Sequence, residues 1–222
     1  REIMTKIVKI YLFKRFERFW HWAQAALIIF MAFTGFEIHG NYEVYGFERS
    51  IELHSYAAWI LIYLWLFAIF WHLTTGEWKQ YMPTRENLLA MLHFYVLGIF
   101  KHEKHPFRPS SQTKLNPLQK ISYLLVKLVL APMIWITGLL YMFYNDWAVW
   151  GIGGLSIEMV ALIHTFIAFC MLTFLVAHLC LITTGHRVFS QLKAMITGWE
   201  EVEIADDENE ADFVAGKSDS VF

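Results

Sequence analysis

Two histidines, His164 and His178, lie fourteen residues apart in one long apolar stretch, residues 155–184. Fourteen residues is just under four helical turns, so both imidazoles project from nearly the same helix face, about 21 Å apart along the axis. That distance places one ring near each side of the hydrocarbon core of a bilayer. An ionisable ring is costly there unless it has a partner or a function. Each ring is therefore a candidate metal ligand.

Two further histidines, His21 and His54, open the first two apolar stretches. Because successive spans cross the membrane in opposite directions, His21 lies at the depth of His178. By the same argument His54 lies at the depth of His164. Each pair comes from two different helices, as axial ligation of a haem between helices requires, and the pattern predicts two such haems with irons roughly 20 Å apart. His72, eighteen residues after His54, is an alternative ligand at the depth of His21.

The composition is typical of an integral membrane protein. Of 222 residues, 57% are hydrophobic and 18% aromatic, which is too apolar for a soluble domain of this length. Four apolar stretches are long enough, at about 20 residues, to cross a bilayer core. These predicted spans are residues 19–38, 54–75, 118–142 and 156–184. The shorter stretch 88–100 predicts an interfacial or half-buried helix, and the first span is interpreted as a retained helix and not a signal peptide.

The expected fold class is an all-α membrane protein, a bundle of four transmembrane helices with two haems held between helices. The chain divides into a basic N-terminal segment, 1–18, a transmembrane domain, 19–199, and an acidic tail, 200–222. We expect the acidic stretch from Glu200 to Asp212 to be disordered. Cys170 and Cys180 lie in the fourth span and are expected to serve as small packing residues. There is no Cys-x-x-Cys-His motif, which excludes covalently attached haem.

Lysine and arginine are distributed unevenly between the connections. The N-terminal segment and the long connection 76–117 carry six basic residues each, whereas the short connections 39–53 and 143–155 together carry only Arg49. The positive-inside rule therefore predicts that both termini and the long connection face the cytoplasm. Arg15 and Arg18, one turn apart just before the first span, are either partners for haem propionates or ordinary cytoplasmic charge.

A weak internal repeat relates the two halves of the chain. Thr34-Gly35 in the first span matches Thr137-Gly138 in the third, and the sequences around the opening histidines of the second and fourth spans are similar. A match this short can arise by chance in apolar sequence, so a true repeat is left open. Small residues at these positions would let helices, or a flat macrocycle, approach closely.

Several motifs together resemble a known family. They are Arg18-Phe19-Trp20-His21-Trp22, Leu53-His54, Asn116-Pro117-Leu118-Gln119-Lys120, and the pair His164 and His178 followed by Ala194-Met195-Ile196-Thr197-Gly198. At these residues the chain resembles the dihaem cytochrome b subunits of membrane-bound formate dehydrogenases, nickel-iron hydrogenases and thiosulfate reductases. The resemblance extends from Arg15 to about Trp199, and His72 and the acidic tail depart from the family pattern.

The resemblance implies two haem b groups whose iron ligands are the four histidines paired above. It also implies that Asn116 and Gln119 contact a quinone, either menaquinone or ubiquinone, beside the haem near the cytoplasm. The sequence alone gives Asn116 another role, as the N-cap of a helix with Pro117 in its first turn.

The resemblance further implies an electron-transfer subunit in the bacterial cytoplasmic (inner) membrane. Electrons would pass between a periplasmic oxidoreductase subunit, or a multihaem or iron-sulfur carrier, and the membrane quinone. No nucleic acid is expected as a partner, and chemistry on the terminal substrate is expected on another polypeptide. Protons for quinone reduction would come from the cytoplasm, with Lys120, His186 and Glu103 as candidate carriers.

Two other functions compete with this one. A standalone membrane oxidoreductase would couple a small external molecule such as superoxide to quinone. The external connections hold five acidic residues against Arg49, which argues against attracting an anion; these are Glu37, Glu43, Glu48, Glu52 and Asp146. A transporter of protons or metal ions that uses intramembrane histidines would show no haem absorption.

Overall fold

The computed structural model describes residues 5–84, 87–101, 103, 106–110, 113–183, 189–206 and 209–210. His186, a candidate proton carrier, lies outside the described residues, as do the start of the basic segment and the end of the acidic tail.

Four helical segments are long and apolar enough to cross a membrane, which confirms the predicted number of spans. They are α1 (Arg15–Ile38), α2 (Phe47–Thr75), the continuous segment Pro117–Met142, and α6 (Ile157–Leu181). Segment Pro117–Met142 consists of α4 (Pro117–Leu125), a π-helical turn (Val126–Leu130) and α5 (Ala131–Met142). The mostly helical fold class is therefore confirmed.

Helix α2 begins seven residues before the predicted span, which started at His54. Hydropathy detects only the part of a helix that lies in hydrocarbon, whereas the first turns of α2 carry the polar sequence Phe-Glu-Arg-Ser-Ile-Glu. Gly46, with φ 84°, precedes the helix in a left-handed conformation that glycine adopts without strain. His54 therefore lies about two turns inside α2 and not at its start.

The chain folds as two compact units. The helical unit comprises Trp20–Thr75 and Leu124–Ala177, and the mixed unit comprises Arg1–Phe19, Gly76–Tyr123 and His178–Phe222. In the helical unit small side chains such as Ala57 and Ala68 are buried, whereas Phe166 is 64% exposed. This distribution suits a bundle surrounded by lipid, where small residues allow close helix packing and large apolar residues face outward.

The mixed unit contains a two-stranded antiparallel sheet of β1 (Thr5–Tyr11) and β2 (Trp199–Ala205), with Val8 opposite Val202. One face of the sheet is a buried apolar cluster of Val8, Ile10, Leu12, Val202 and Ile204. The expectation that the acidic tail is disordered is thus wrong for its first residues. Val202 and Ile204 alternate with glutamates along β2. They are buried in one cluster with Val8 and Ile10 of β1, which pairs with β2 from about 190 residues earlier in the chain.

Two short α-helices also lie in the mixed unit. Helix α3 (Leu88–His93) continues into a π-helical turn (Phe94–Gly98), which confirms a helix within the stretch 88–100. Helix α7 (Ser190–Thr197) ends at Gly198, whose left-handed conformation (φ 90°) turns the chain into β2.

A cluster of four charged side chains, which we call the ion cluster, joins three parts of the mixed unit. Lys114 Nζ lies 2.8 Å from a carboxylate oxygen of Glu17 and 2.9 Å from one of Glu77. Lys14 binds the other oxygen of Glu77 at 2.5 Å. Burial raises the pKa of Glu77, but the hydrogen bonds and charges of Lys14 and Lys114 outweigh that effect and hold the pKa below its usual range. The cluster connects the start of α1 with the segments that follow α2 and precede α4.

Glu200 makes stability depend on pH. Burial and then the charge of Glu201 raise the pKa of Glu200 from 4.5 to about 7, against the opposing effect of Lys193. The folded state therefore binds this proton more tightly than the unfolded state, so the contribution to stability is complete below pH 4.5 and is lost as the pH rises through about 7. Thermal unfolding in detergent should show a midpoint that falls across this range and falls less in Glu200→Gln. Identical pH profiles for the two proteins would contradict this assignment.

Candidate functional site

The helical unit brings together His54 on α2 and His164 on α6. Their ring centroids lie 6.5 Å apart, with the ring planes inclined at 67°. Two metal–nitrogen bonds of about 2 Å, plus about 1 Å from each nitrogen to its ring centre, would separate the centroids of trans ligands by about 6 Å. His54 and His164, predicted at one depth, would therefore be able to hold one iron between them.

A threonine on α1 sets the tautomer of His54. Thr34 Oγ1 lies 2.9 Å from His54 Nδ1 and 3.1 Å from the carbonyl oxygen of Phe30 in the preceding turn. The hydroxyl donates its proton to that carbonyl and accepts a hydrogen bond from Nδ1–H of the ring. His54 Nε2 is then unprotonated and carries the lone pair that a metal requires.

The same arrangement holds His164. Thr137 Oγ1 on α5 lies 3.0 Å from His164 Nδ1 and donates to the carbonyl oxygen of Met133 at 2.7 Å. His164 Nε2 is therefore also the unprotonated nitrogen. The two Thr-Gly dipeptides that match in the sequence thus occupy equivalent positions beside equivalent histidines.

The glycine of each dipeptide makes room for a histidine ring. A Cβ atom on Gly138 would lie 3.2 Å from His164 Cε1, closer than ordinary van der Waals contact, and one on Gly35 would lie 3.7 Å from His54 Cε1. The helix backbone therefore approaches the His164 ring to a distance that a larger residue at 138 would oppose, whereas a Cβ at Gly35 would make an ordinary contact with the His54 ring. The sequence analysis did not predict that the threonines bind the histidine rings. The repeated Thr-Gly dipeptide was the sequence feature that could have indicated it.

The second predicted pair is distributed over both units. His21 lies on α1 in the helical unit, and His178 begins the last segment of the mixed unit. Their pairing therefore stays a prediction from sequence.

His72, the alternative ligand, is buried near the end of α2. Its Nδ1–H donates to the carbonyl oxygen of Ala68 at 2.6 Å, and its ring contacts the indoles of Trp20 and Trp71 at centroid distances of 5.3 and 5.0 Å. Since this bond makes Nε2 the unprotonated nitrogen, His72 remains chemically able to bind a metal.

The two arginines predicted as propionate partners differ in their surroundings. Arg18 Nη1 donates to the carbonyl oxygen of Ile196 at 2.5 Å, whereas its Nε is buried without a hydrogen-bond partner among the described residues. Arg15 is exposed. Arg18 thus keeps one buried donor for another acceptor, and the propionate role of both residues stays a prediction.

Asn116 and Gln119 form a reciprocal capping box at the start of α4. The side-chain oxygen of Asn116 accepts from Gln119 N–H at 2.8 Å, and that of Gln119 accepts from Asn116 N–H at 3.0 Å. Asn116 Nδ2 also donates to the Tyr95 hydroxyl at 3.1 Å. Asn116 is only 2% exposed, whereas Gln119 is half-buried. The structure confirms the capping role of Asn116 and shows that Gln119 is the more accessible of the two.

The threonine contacts predict a specific mutational effect. Thr34→Val and Thr137→Val remove the acceptor for a ring N–H, and loss of such a partner typically weakens metal binding roughly 10- to 100-fold. We expect each variant to retain less haem after purification, whereas the serine variants should retain it. Thr173→Val is a matched control, since Thr173 makes the same type of bond to a backbone carbonyl, that of Phe169 at 2.8 Å. Equal haem content in all these proteins would exclude the orienting role.

Comparison with known proteins identifies a family and a relative that the chain resembles. The sequence model of the family described as "Prokaryotic cytochrome b561" matches residues 12–198. The chain is also 29% identical over 196 residues to the "Putative cytochrome YdhU" of Escherichia coli (strain K12), an alignment that covers 86% of this chain and 74% of that protein. No solved structure matches the chain.

Proposed function

Because the chain belongs to the prokaryotic cytochrome b561 family, whose members are membrane electron-transfer proteins that bind haem b, we propose a specific route for its electrons. They pass between a periplasmic redox partner and the membrane quinone pool through two haems, each bound by two histidines. The quinone site lies on the cytoplasmic side of a bacterial inner membrane, and both termini face the cytoplasm. Chemistry on the terminal substrate belongs to the partner.

The observation that carries this proposal is the arrangement around His54 and His164. Two neutral imidazoles on different helices present unprotonated nitrogens at the spacing of trans ligands, and each ring is fixed by a threonine. The donor set therefore fits a haem iron, which accepts and releases one electron at a time when bound. The chain supplies the orientation of both ligands.

The second haem site is assigned to His21 and His178. Helix α6 runs without interruption from Ile157 to Leu181, so His164 and His178 lie about 21 Å apart along one helix. A continuous helix keeps the two ligands on nearly the same face, as the sequence argument requires. His72 is the alternative ligand for this second site.

We place the quinone near the start of α4. Asn116 is too deeply buried to be the main contact, so its role is to position its two hydrogen-bond partners, Gln119 and Tyr95. Burial raises the pKa of Tyr95, so the phenol stays protonated and can donate a hydrogen bond to a quinone carbonyl. Lys120 is a buried cation of α4, 6% exposed, and is the preferred proton carrier of the three candidates.

Stopped-flow oxidation of the chemically reduced protein by a soluble quinone analogue such as menadione tests the proposal. Asn116→Ala and Gln119→Ala should slow reoxidation of the haems at least several-fold, while haem content stays at the wild-type value. Ser122→Ala is a matched control on the same helix, because Ser122 bonds only the carbonyl oxygen of Leu118 among the contacts described for it. Wild-type rates in both variants would refute the quinone site, and loss of haem in them would show a structural role instead.

A further inference from the structure

The indole N–H of Trp20 is buried without a hydrogen-bond partner among the described residues of the chain. Other tryptophans of the helical unit satisfy theirs: Trp65 Nε1 donates to Gln24 at 3.1 Å, and Trp147 Nε1 donates to the carbonyl oxygen of Leu140 at 3.0 Å. Buried donors in folded proteins are rarely left unpaired, because an unpaired donor loses its hydrogen bond to water without forming another and so destabilises the fold. The Trp20 N–H therefore indicates an acceptor that is not part of the described chain.

A cation lies beside the same indole. Lys127 Nζ is 5.3 Å from the centroid of the Trp20 ring. Lys127 belongs to the π-helical turn Val126–Leu130, within the third apolar span. A charged side chain in such a span is costly and usually marks a functional site, and π-helical turns are frequent at such sites.

The His72 ring also contacts the Trp20 indole. The two ring centroids lie 5.3 Å apart with the planes 76° apart, and His72 Nδ1–H is bonded to the carbonyl oxygen of Ala68. The indole therefore contacts both a buried histidine and a lysine ammonium.

An N–H donor and an ammonium beside one indole are complementary to an anionic oxygen. The neutral carbonyl of a quinone could accept the N–H bond, but a carboxylate forms the stronger, charge-assisted bond with an ammonium. Trp20 immediately precedes His21, the iron ligand proposed for the second haem. Haem b carries two propionate carboxylates, so the cofactor itself supplies an anionic oxygen that could bind this N–H and this ammonium.

We propose that Trp20 Nε1 and Lys127 Nζ bind a propionate carboxylate of the haem that His21 ligates. This inference rests on the proposed haem site at His21. It assigns to Lys127 one of the two roles considered above for Arg15 and Arg18. Beyond holding the macrocycle, the Lys127 charge stabilises the added electron of the reduced haem by Coulomb attraction, so it raises the midpoint potential of that haem.

Spectroelectrochemical titration of the purified protein, followed at the haem absorption bands, tests the inference. Lys127→Met should lower the midpoint potential of one haem and leave the other unchanged, and Lys127→Arg should restore the wild-type value because it keeps the charge. Trp20→Phe should shift the same haem in the same direction by a smaller amount. Trp65→Phe, which removes an indole whose N–H already has an acceptor, should shift neither.

Unchanged midpoint potentials in Lys127→Met and Trp20→Phe would overturn the inference. If Lys127→Met does not yield folded protein, the same titration is made with Lys127→Gln.

An acidic lipid headgroup also carries an anionic oxygen, so the titrations are repeated with and without added phosphatidylglycerol. A Lys127 effect that appears only with this lipid would assign the site to lipid and refute the propionate. Haem content of His21→Ala tests the underlying haem site separately, because retention of both haems there would remove the premise whatever Lys127 does.

Discussion

Replacement of His164 by alanine is expected to reduce the haem content of the purified chain from about two haems to about one, since a six-coordinate iron held between two helices loses half of its protein ligands. His54→Ala should give the same stoichiometry, because both histidines belong to one site in the helical unit, with ring centroids 6.5 Å apart. The double variant should lose no more haem than either single variant. A pyridine haemochrome assay with protein quantified in parallel measures all three.

His39→Ala provides a control in the same unit. His39 lies just beyond the end of α1, is exposed, and contacts Thr165 at 3.4 Å, so its removal should leave the haem content unchanged. A result in which His164→Ala and His54→Ala each lose a different haem, so that the double variant contains none, would show that the two residues do not share an iron.

Replacement of Lys114 by methionine is expected to destabilise the protein strongly. The Lys114 side chain is 6% exposed and contacts two carboxylates that are themselves 12% and 13% exposed. Removal of one member of a buried ion pair leaves the opposite charge without compensation and typically costs about 3–5 kcal/mol. Lys14 can still pair with Glu77, but Glu17 loses its bidentate contact with the ammonium.

Thermal unfolding of the detergent-solubilised protein measures this loss. Lys193→Met is the matched control, because the Lys193–Glu201 pair is long, at 3.6 Å, and its side chains are 65% and 31% exposed. Exposed pairs contribute at most about 1 kcal/mol. Glu17→Gln combined with Lys114→Met should be less damaging than the sum of the two single changes, because no unpaired carboxylate remains on α1. Equal, small effects of Lys114→Met and Lys193→Met would mean that the ion cluster is structurally unimportant.

The four spans were predictable because a helix in lipid must satisfy its backbone polar groups internally and present apolar side chains for about 20 residues, which is a local property of the sequence. The capping role of Asn116 was predictable for the same reason, since its partner Gln119 is three residues away. Boundaries outside the hydrocarbon were less certain: Phe47–Leu53 is helical although its polar residues give no hydropathy signal.

The mixed unit was largely missed. Val202 and Ile204 alternate with glutamates, and this pattern does not by itself predict a strand. The two residues are buried because Val8 and Ile10 of the paired strand belong to the same apolar cluster. Glu17, Glu77 and Lys114 look like ordinary surface charges in the sequence. Only the fold shows that they are buried together, because the contact joins residues 97 positions apart.

The sequence by itself indicated that the protein crosses a membrane and predicted that four histidines lie at two depths. Both conclusions follow from the rise and periodicity of a helix and from the cost of polar groups in hydrocarbon. The tertiary structure decided which nitrogen of His54 and of His164 can bind a metal. That choice depends on hydrogen bonds to Thr34 and Thr137, which lie 20 and 27 residues away on other helices. Helix packing alone brings these groups together, and no local pattern encodes it.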